Sequence, residues 1–183
     1  KTELLGVSES TLQSDVGTRK FAHTMWMNGS KGNAQYAEFK YMGHYLKLGR
    51  YPVHPHKMGP GSKGMILNGN GLWYTGFRWI NIHSSEDILI GDNVGFSSGG
   101  VGYFDEWDPI RDERGIKIGI EGVSKNLVFI HNLGVEPTGA RFGDRGGVVE
   151  RDPTSFWPSS QGVAHFGNIA VGARAGDGFH HCE

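Results

Sequence analysis

Three stretches of this chain repeat one short pattern. ILIGDNVG (Ile88 to Gly95), LVFIHNLG (Leu127 to Gly134) and AHFGNIAVG (Ala164 to Gly172) each set an asparagine inside or just after an apolar run, at Asn93, Asn132 and Asn168. A longer match lays Asp92 to Glu106 onto Gly167 to Glu183, with Asn93 on Asn168 and Gly102 on Gly178. Such self-similarity means short units that cannot bury their apolar faces alone and must stack. An asparagine at the same corner of successive units can hydrogen-bond along the stacking axis and satisfy turn backbone. The pattern predicts an all-β chain: a right-handed parallel β-helix of the pectin-lyase-like kind, one domain over residues 1–183, with projecting loops near 105–118 and 134–160. A β-sandwich with Asn-Gly turns is the rival reading of the repeat alone.

Composition agrees. Glycine supplies 30 of 183 residues with no triplet period, so the chain is not collagen-like. The glycines separate short apolar runs, as many tight turns require. A hydrophobic fraction of 37% with 20% charged residues suits a packed core rather than disorder. A net charge of −1 offers no basic stripe, so nucleic acid is not an expected partner. Cys182 is the single cysteine and closes no disulfide within the chain. No apolar run approaches the roughly 20 residues of a membrane span, so no transmembrane segment is expected. Lys1 follows neither an initiator Met nor a signal peptide, and the chain is expected to be a segment of a larger protein.

Several residues can carry chemistry. His54 and His56 flank Pro55, and on an extended chain both rings face one side. Two such imidazoles can hold a divalent metal, and either can act as acid or base. The competing structural reading is a pair of corner histidines satisfied by backbone. Arg50 can grip a carboxylate with two donors. Asp105 and Glu106 follow the strand Val101 to Phe104, so at most one of them faces the histidine surface. Asp92, Asp108 and Glu121 are candidate partners, since paired carboxylates about 5–5.5 Å apart suit retaining glycoside hydrolysis and about 6.5–9.5 Å suits inversion. His180 and His181 match Phe104 and Asp105 in the internal repeat, and His83 and His131 sit at strand ends. Trp73, Tyr74, Trp79, Tyr103, Trp107 and Trp157 are available to stack on sugar rings. Trp79 reads as core and Trp107 as the best exposed candidate. Asn28-Gly29-Ser30 is a glycosylation sequon. No phosphate loop, GxSxG elbow or paired CxxC is present.

LKLGRYPVHPHKMG (Leu46 to Gly59) resembles the LGRYPIHFH signature of the family that contains the cell-surface hyaluronidases and the fibrocystin-like proteins. FAHTMW, YAEFKYMG, GDNVGFSSGGVGYFDE, GIEGVSKNLVFIHNLG, PTSFWPSS and GNIAVGARAGDGF resemble further segments of that family in the same order. Pro55 stands where relatives carry an aromatic, and an insertion separates FDEWD from Gly119-Ile120-Glu121. The resemblance implies a parallel β-helix downstream of an eight-glycine domain, in an extracellular or cell-surface protein. It implies glycosidase-like or lyase-like action on a hyaluronan-like polysaccharide, with partners being that polysaccharide and the rest of the parent protein. His54, His56, Asp105 and Glu106 are then the catalytic candidates, and Arg50, Lys57 and Trp107 the substrate-binding ones. A structural β-helical rod and a carbohydrate-binding module are the alternatives.

Overall fold

The computed structural model describes residues 22–45, 47–138, 153–160, 162–173 and 176–180. His181, Cys182 and the 139–152 part of the expected 134–160 loop lie outside them. The described chain winds through five coils, each giving one strand to each of three sheets. The first coil holds β1 (Trp26–Met27), β2 (Ala34–Gln35) and β3 (Glu38–Lys40). The second holds β4 (Pro55–Gly59), β5 (Met65–Asn68) and β6 (Gly71–Thr75). The third holds β7 (Ile80–Ser85), β8 (Ile88–Gly91) and β9 (Val94–Ser98). In the fourth, β10 (Tyr103–Glu106) is followed by a two-stranded excursion, β11 (Asp108–Arg111) and β12 (Lys117–Glu121), before β13 (Leu127–Ile130) and β14 (Leu133–Val135). The fifth holds β15 (Phe156–Trp157), β16 (Val163–Phe166) and β17 (Ile169–Val171).

The three sheets run β1-β4-β7-β10-β15, β2-β5-β8-β13-β16 and β3-β6-β9-β14-β17, and every pairing within them is parallel. This is a parallel β-helix, and it excludes the sandwich. Among the described residues only β11 and β12 pair antiparallel. The excursion expected over 105–118 thus starts later, because Asp105 and Glu106 complete β10, and it is a β-ribbon.

Alternation along each strand sends apolar residues inward, where register stacks them. Leu67, Ile90 and Phe129 align in one column. Tyr103, Phe156 and Phe179 form another, with rings 4.8 Å apart in both steps. Leu67, Leu72, Ile80, Ile82, Ile88 and Ile90 are fully buried, each worth about 1.5–3 kcal/mol. Trp79 lies wholly inside, as its apolar run FRWINI suggests. Its indole fills the space that Gly95 and Gly102 leave: a Cβ on either would come within 2.3 Å or less of the ring.

The asparagines form a ladder at the corner between the second and third sheets. Asn70 Nδ2 donates to Asn93 Oδ1, Asn93 Nδ2 to Asn132 Oδ1, and Asn132 Nδ2 to Asn168 Oδ1, each at 2.9 Å. Each Oδ1 also accepts the backbone N–H of the preceding rung. Asn70, in NGNG, is a rung the repeat did not single out. The steps are 23, 39 and 36 residues, so the offset between Asn93 and Asn168 spans two coils.

Candidate functional site

The outward face of the first sheet brings together the histidines and one of the two acidic candidates. In one ladder row His56 of β4 pairs with His83 of β7, and His83 pairs with Glu106 of β10. Val53 bridges Ile80, so His54 lies beside Asn81, two residues back on the same face. Residues neighbouring across parallel strands are held at β-sheet spacing, which forces the rings together. The His54 and His56 ring centres are 4.9 Å apart, those of His56 and His83 4.8 Å, and those of His54 and His83 6.5 Å with planes 6° apart.

His54 is buried beneath Tyr51, whose ring centre is 4.8 Å away. Its Nδ1 lies 3.3 Å from the Gly49 carbonyl oxygen, and its Nε2 is buried without a hydrogen-bond partner. Burial, then the neighbouring His56, pulls its pKa down to about 3. His56 is half-buried. Desolvation and the proximity of His83 and Lys57 lower its pKa as well, with Glu106 and Asp108 opposing. Its Nδ1 sits 3.2 Å from His83 Nδ1.

Two carboxylates flank His83 at its two ring nitrogens. Asp108 Oδ1 is 3.1 Å from Nε2, out of line for a hydrogen bond, and Glu106 Oε2 is 3.9 Å from Nδ1. Burial pushes the Asp108 carboxyl upward, but the hydrogen bond from Lys57 and the charge of His83 outweigh it and hold it below the ordinary value. Lys57 Nζ reaches Asp108 Oδ2 at 2.9 Å. Glu106 Oε2 accepts from Arg78 Nη1 at 3.2 Å and from Asn81 Nδ2 at 3.1 Å. Arg78 is itself packed over Phe104, Tyr51 and Phe77, at 3.9, 5.0 and 5.4 Å from the ring centres.

Asp105 is not part of this surface, and its placement corrects the catalytic expectation. Strand alternation turns it inward, it is fully buried, and its Oδ1 accepts from the Ser159 amide at 2.7 Å. Burial raises its pKa, with hydrogen bonds from Ser160 and Ser159 opposing. Arg50 points to His23, with Nη1 2.6 Å from Nε2. Trp107 lies under Lys117, whose Nζ is 3.9 Å from the ring centre. Asn28 is exposed in the turn after β1. Asp92 faces His131 at the corner between the second and third sheets, away from this surface, and Glu121 pairs with Asp108 across the ribbon. Tyr103 joins Trp79 in the interior and is lost as a sugar platform, whereas Trp157 stays half-buried with the His180 ring tilted against it, centres 4.3 Å apart.

Sequence reasoning named His83 only as one of several strand-end histidines, and it missed Arg78 and Asn81. The signal was register: RWINIH places Arg78, Asn81 and His83 one coil above the HPH segment, but only the pairing of β4 with β7 reveals it.

The family model described as the CEMIP β-helix matches residues 20–114, more than half of the chain and the whole of this histidine–carboxylate cluster. The chain belongs to the CEMIP β-helix family. Among curated relatives, the human protein named cell surface hyaluronidase CEMIP2 is 30% identical over 120 residues, covering 62% of this chain and 8% of that protein. The zebrafish (Danio rerio) protein named cell surface hyaluronidase is 25% identical over 114 residues, covering 59% of this chain and 7% of that protein. This CEMIP β-helix chain therefore spans less than a tenth of the length of either relative. No solved structure matches it. No helix among the described residues is long and apolar enough to cross a membrane.

Proposed function

We propose that this chain is the polysaccharide-engaging β-helix of an extracellular or cell-surface protein, and that the outward face of its first sheet cleaves a hyaluronan-like glycan. The observation that carries the reading is the convergence of His54, His56, His83 and Glu106 on one face built by three successive coils. The names of the human and zebrafish relatives point to the same substrate class. His56 is the most open ring of the three and the one placed to meet a glycan on this face. Glu106, already fixed as a double acceptor by Arg78 and Asn81, serves as electrostatic partner or base rather than as the general acid. Lys57, at the same edge, is the cation for a uronate carboxylate, exchanging its contact with Asp108 for the substrate. Arg50 extends that cationic edge, and Trp107 supplies a flat ring for a sugar face.

The test is hyaluronan chain length after incubation with the intact protein and with His56→Gln, Glu106→Gln and Lys57→Ala variants. Loss of shortening in the first two supports the assignment. Equal shortening by wild type and all three variants removes it. Absorbance from an unsaturated uronate end marks elimination, and its absence with shortened chains marks hydrolysis.

A second reading has its own support. Glu106 and Asp108 are each already engaged by cations, as in a structural network that fastens β4 to the ribbon and the segment leading into β7 to β10. A non-catalytic rod of this kind leaves every glycan at its original length while the same variants lower the melting temperature.

A further inference from the structure

We propose that His54, His56 and His83 form a three-imidazole site for a divalent transition metal of zinc-like preference, with one coordination position left open beside Glu106. One ring nitrogen from each histidine can be chosen so that all three lie within 4.8 Å of one another. The His56 and His83 Nδ1 atoms are 3.2 Å apart. Two nitrogens bound to one zinc at about 2.0–2.1 Å in a tetrahedral array stand roughly 3.3–3.4 Å apart, so this pair already has ligand spacing.

The second observation concerns His54. Its side chain is 1% exposed, its Nδ1 is held at the Gly49 carbonyl, and its Nε2 meets no hydrogen-bond partner. An orphaned polar atom in a folded interior is rare and demands an explanation. A metal that accepts the Nε2 lone pair provides one. The supporting contacts are those that metal-bound histidines use. The free nitrogen of His54 faces a backbone carbonyl, and that of His83 lies 3.1 Å from the Asp108 carboxylate, a contact that a small turn of the ring would bring into line as a hydrogen bond. Lys57 in turn steadies Asp108. Three imidazoles favour zinc, cobalt, nickel or copper over calcium and magnesium, which take oxygen ligands. Three protein ligands with a fourth position open is the pattern of catalytic zinc sites, and Glu106 Oε2, 3.9 Å from His83 Nδ1, is placed to accept a proton there. The proposal stands apart from the glycan reading, because metal binding is measured without any substrate.

The experiment titrates the intact, chelator-stripped protein with Zn2+ by calorimetry and with Co2+ by visible absorption. X-ray absorption of the zinc-loaded wild type then identifies the ligand atoms. Expected are one equivalent per chain, cobalt bands of a four- or five-coordinate site, and imidazole scattering. His56→Gln and His83→Gln, shown to be folded by circular dichroism, should bind at least ~100-fold more weakly. Asp108→Asn, a positioning change, should cost ~10–100-fold. The proposal is overturned by absence of one-equivalent binding, by binding unchanged in both folded histidine variants, or by an oxygen-only shell. If the variants do not fold, the absorption spectrum of the wild type decides alone. A metal-free pair joined by an Nδ1–H···Nδ1 hydrogen bond is the structure those negative results would leave.

Discussion

Replacing Asn93 with alanine should be among the most damaging single changes available to this fold. Asn93 is fully buried. Its Oδ1 accepts the Asn70 backbone N–H and the Asn70 side-chain amide, and its Nδ2 donates to the Leu67 carbonyl and to Asn132 Oδ1, all at 2.9 Å. Truncation removes all four bonds and orphans the Asn70 N–H, in a position no water reaches. A buried unsatisfied group costs about 1–3 kcal/mol and each of the three other lost bonds about 1 kcal/mol, so the expected loss is about 4–6 kcal/mol. Against a total stability of about 5–15 kcal/mol this is roughly a quarter of the whole or more. Asn168, the last of the four rungs, is itself only half-buried and its bonds are part-buried, so Asn168→Ala should cost less, about 1–2 kcal/mol. Asn93→Asp should be no better than alanine, because a carboxylate can accept from Asn70 but cannot donate to Leu67 or Asn132. Urea unfolding followed by tryptophan fluorescence gives the three values. A loss below about 1 kcal/mol for Asn93→Ala, or equal losses at Asn93 and Asn168, would refute the claim that the ladder's interior rungs carry the corner.

Other outcomes follow from single contacts. Gly95→Ala drives a methyl into the Trp79 indole and should cost at least about 1–3 kcal/mol in urea unfolding, with a shifted tryptophan emission. Asp105 has a folded pKa above its unfolded value, so its contribution is full below the ordinary carboxyl pKa and is lost as pH rises through the raised one. Relative to Asp105→Asn, wild type should therefore lose stability between about pH 4 and the raised value, by up to about 1.4 kcal/mol per pH unit, and unfolding midpoints taken at unit steps give the difference. Replacing residues 110–119 with a short glycine linker should change unfolding free energy by less than about 1 kcal/mol, because Ile110, Ile116 and Ile118 of the ribbon are exposed and add little to the core.

The corner and the core were legible because they depend on a local period. The recurrence of asparagine after an apolar run needs no knowledge of register, and it gave three of the four rungs. Asn70 escaped because Gly69 and Gly71 around it read as an ordinary turn rather than as the end of the MIL run. The site was legible in part. The HPH spacing put two rings on one side, and strand alternation separated Asp105 from Glu106. Which of the two faces outward, and which third histidine joins, depends on coil length. The segment between Asn70 and Asn93 runs 23 residues, and the later coils are lengthened by the ribbon and by the Gly134 to Ser160 stretch, so equal spacing in sequence does not mean equal height on the wall. Arg50 and Lys57 were expected to hold a substrate carboxylate from their donors, their charge and the resemblance, none of which says whether a partner such as His23 or Asp108 is already waiting.

The ribbon leaves the wall just after Glu106 and the chain rejoins the neighbouring sheet at Leu127, so the strands above and below never register its length. A scaffold built this way separates what must stay constant from what is free to vary. Evolution can lengthen, trim or recharge the flap above the histidines while the column underneath keeps its shape, and a new specificity need not be reconciled with a new way of folding.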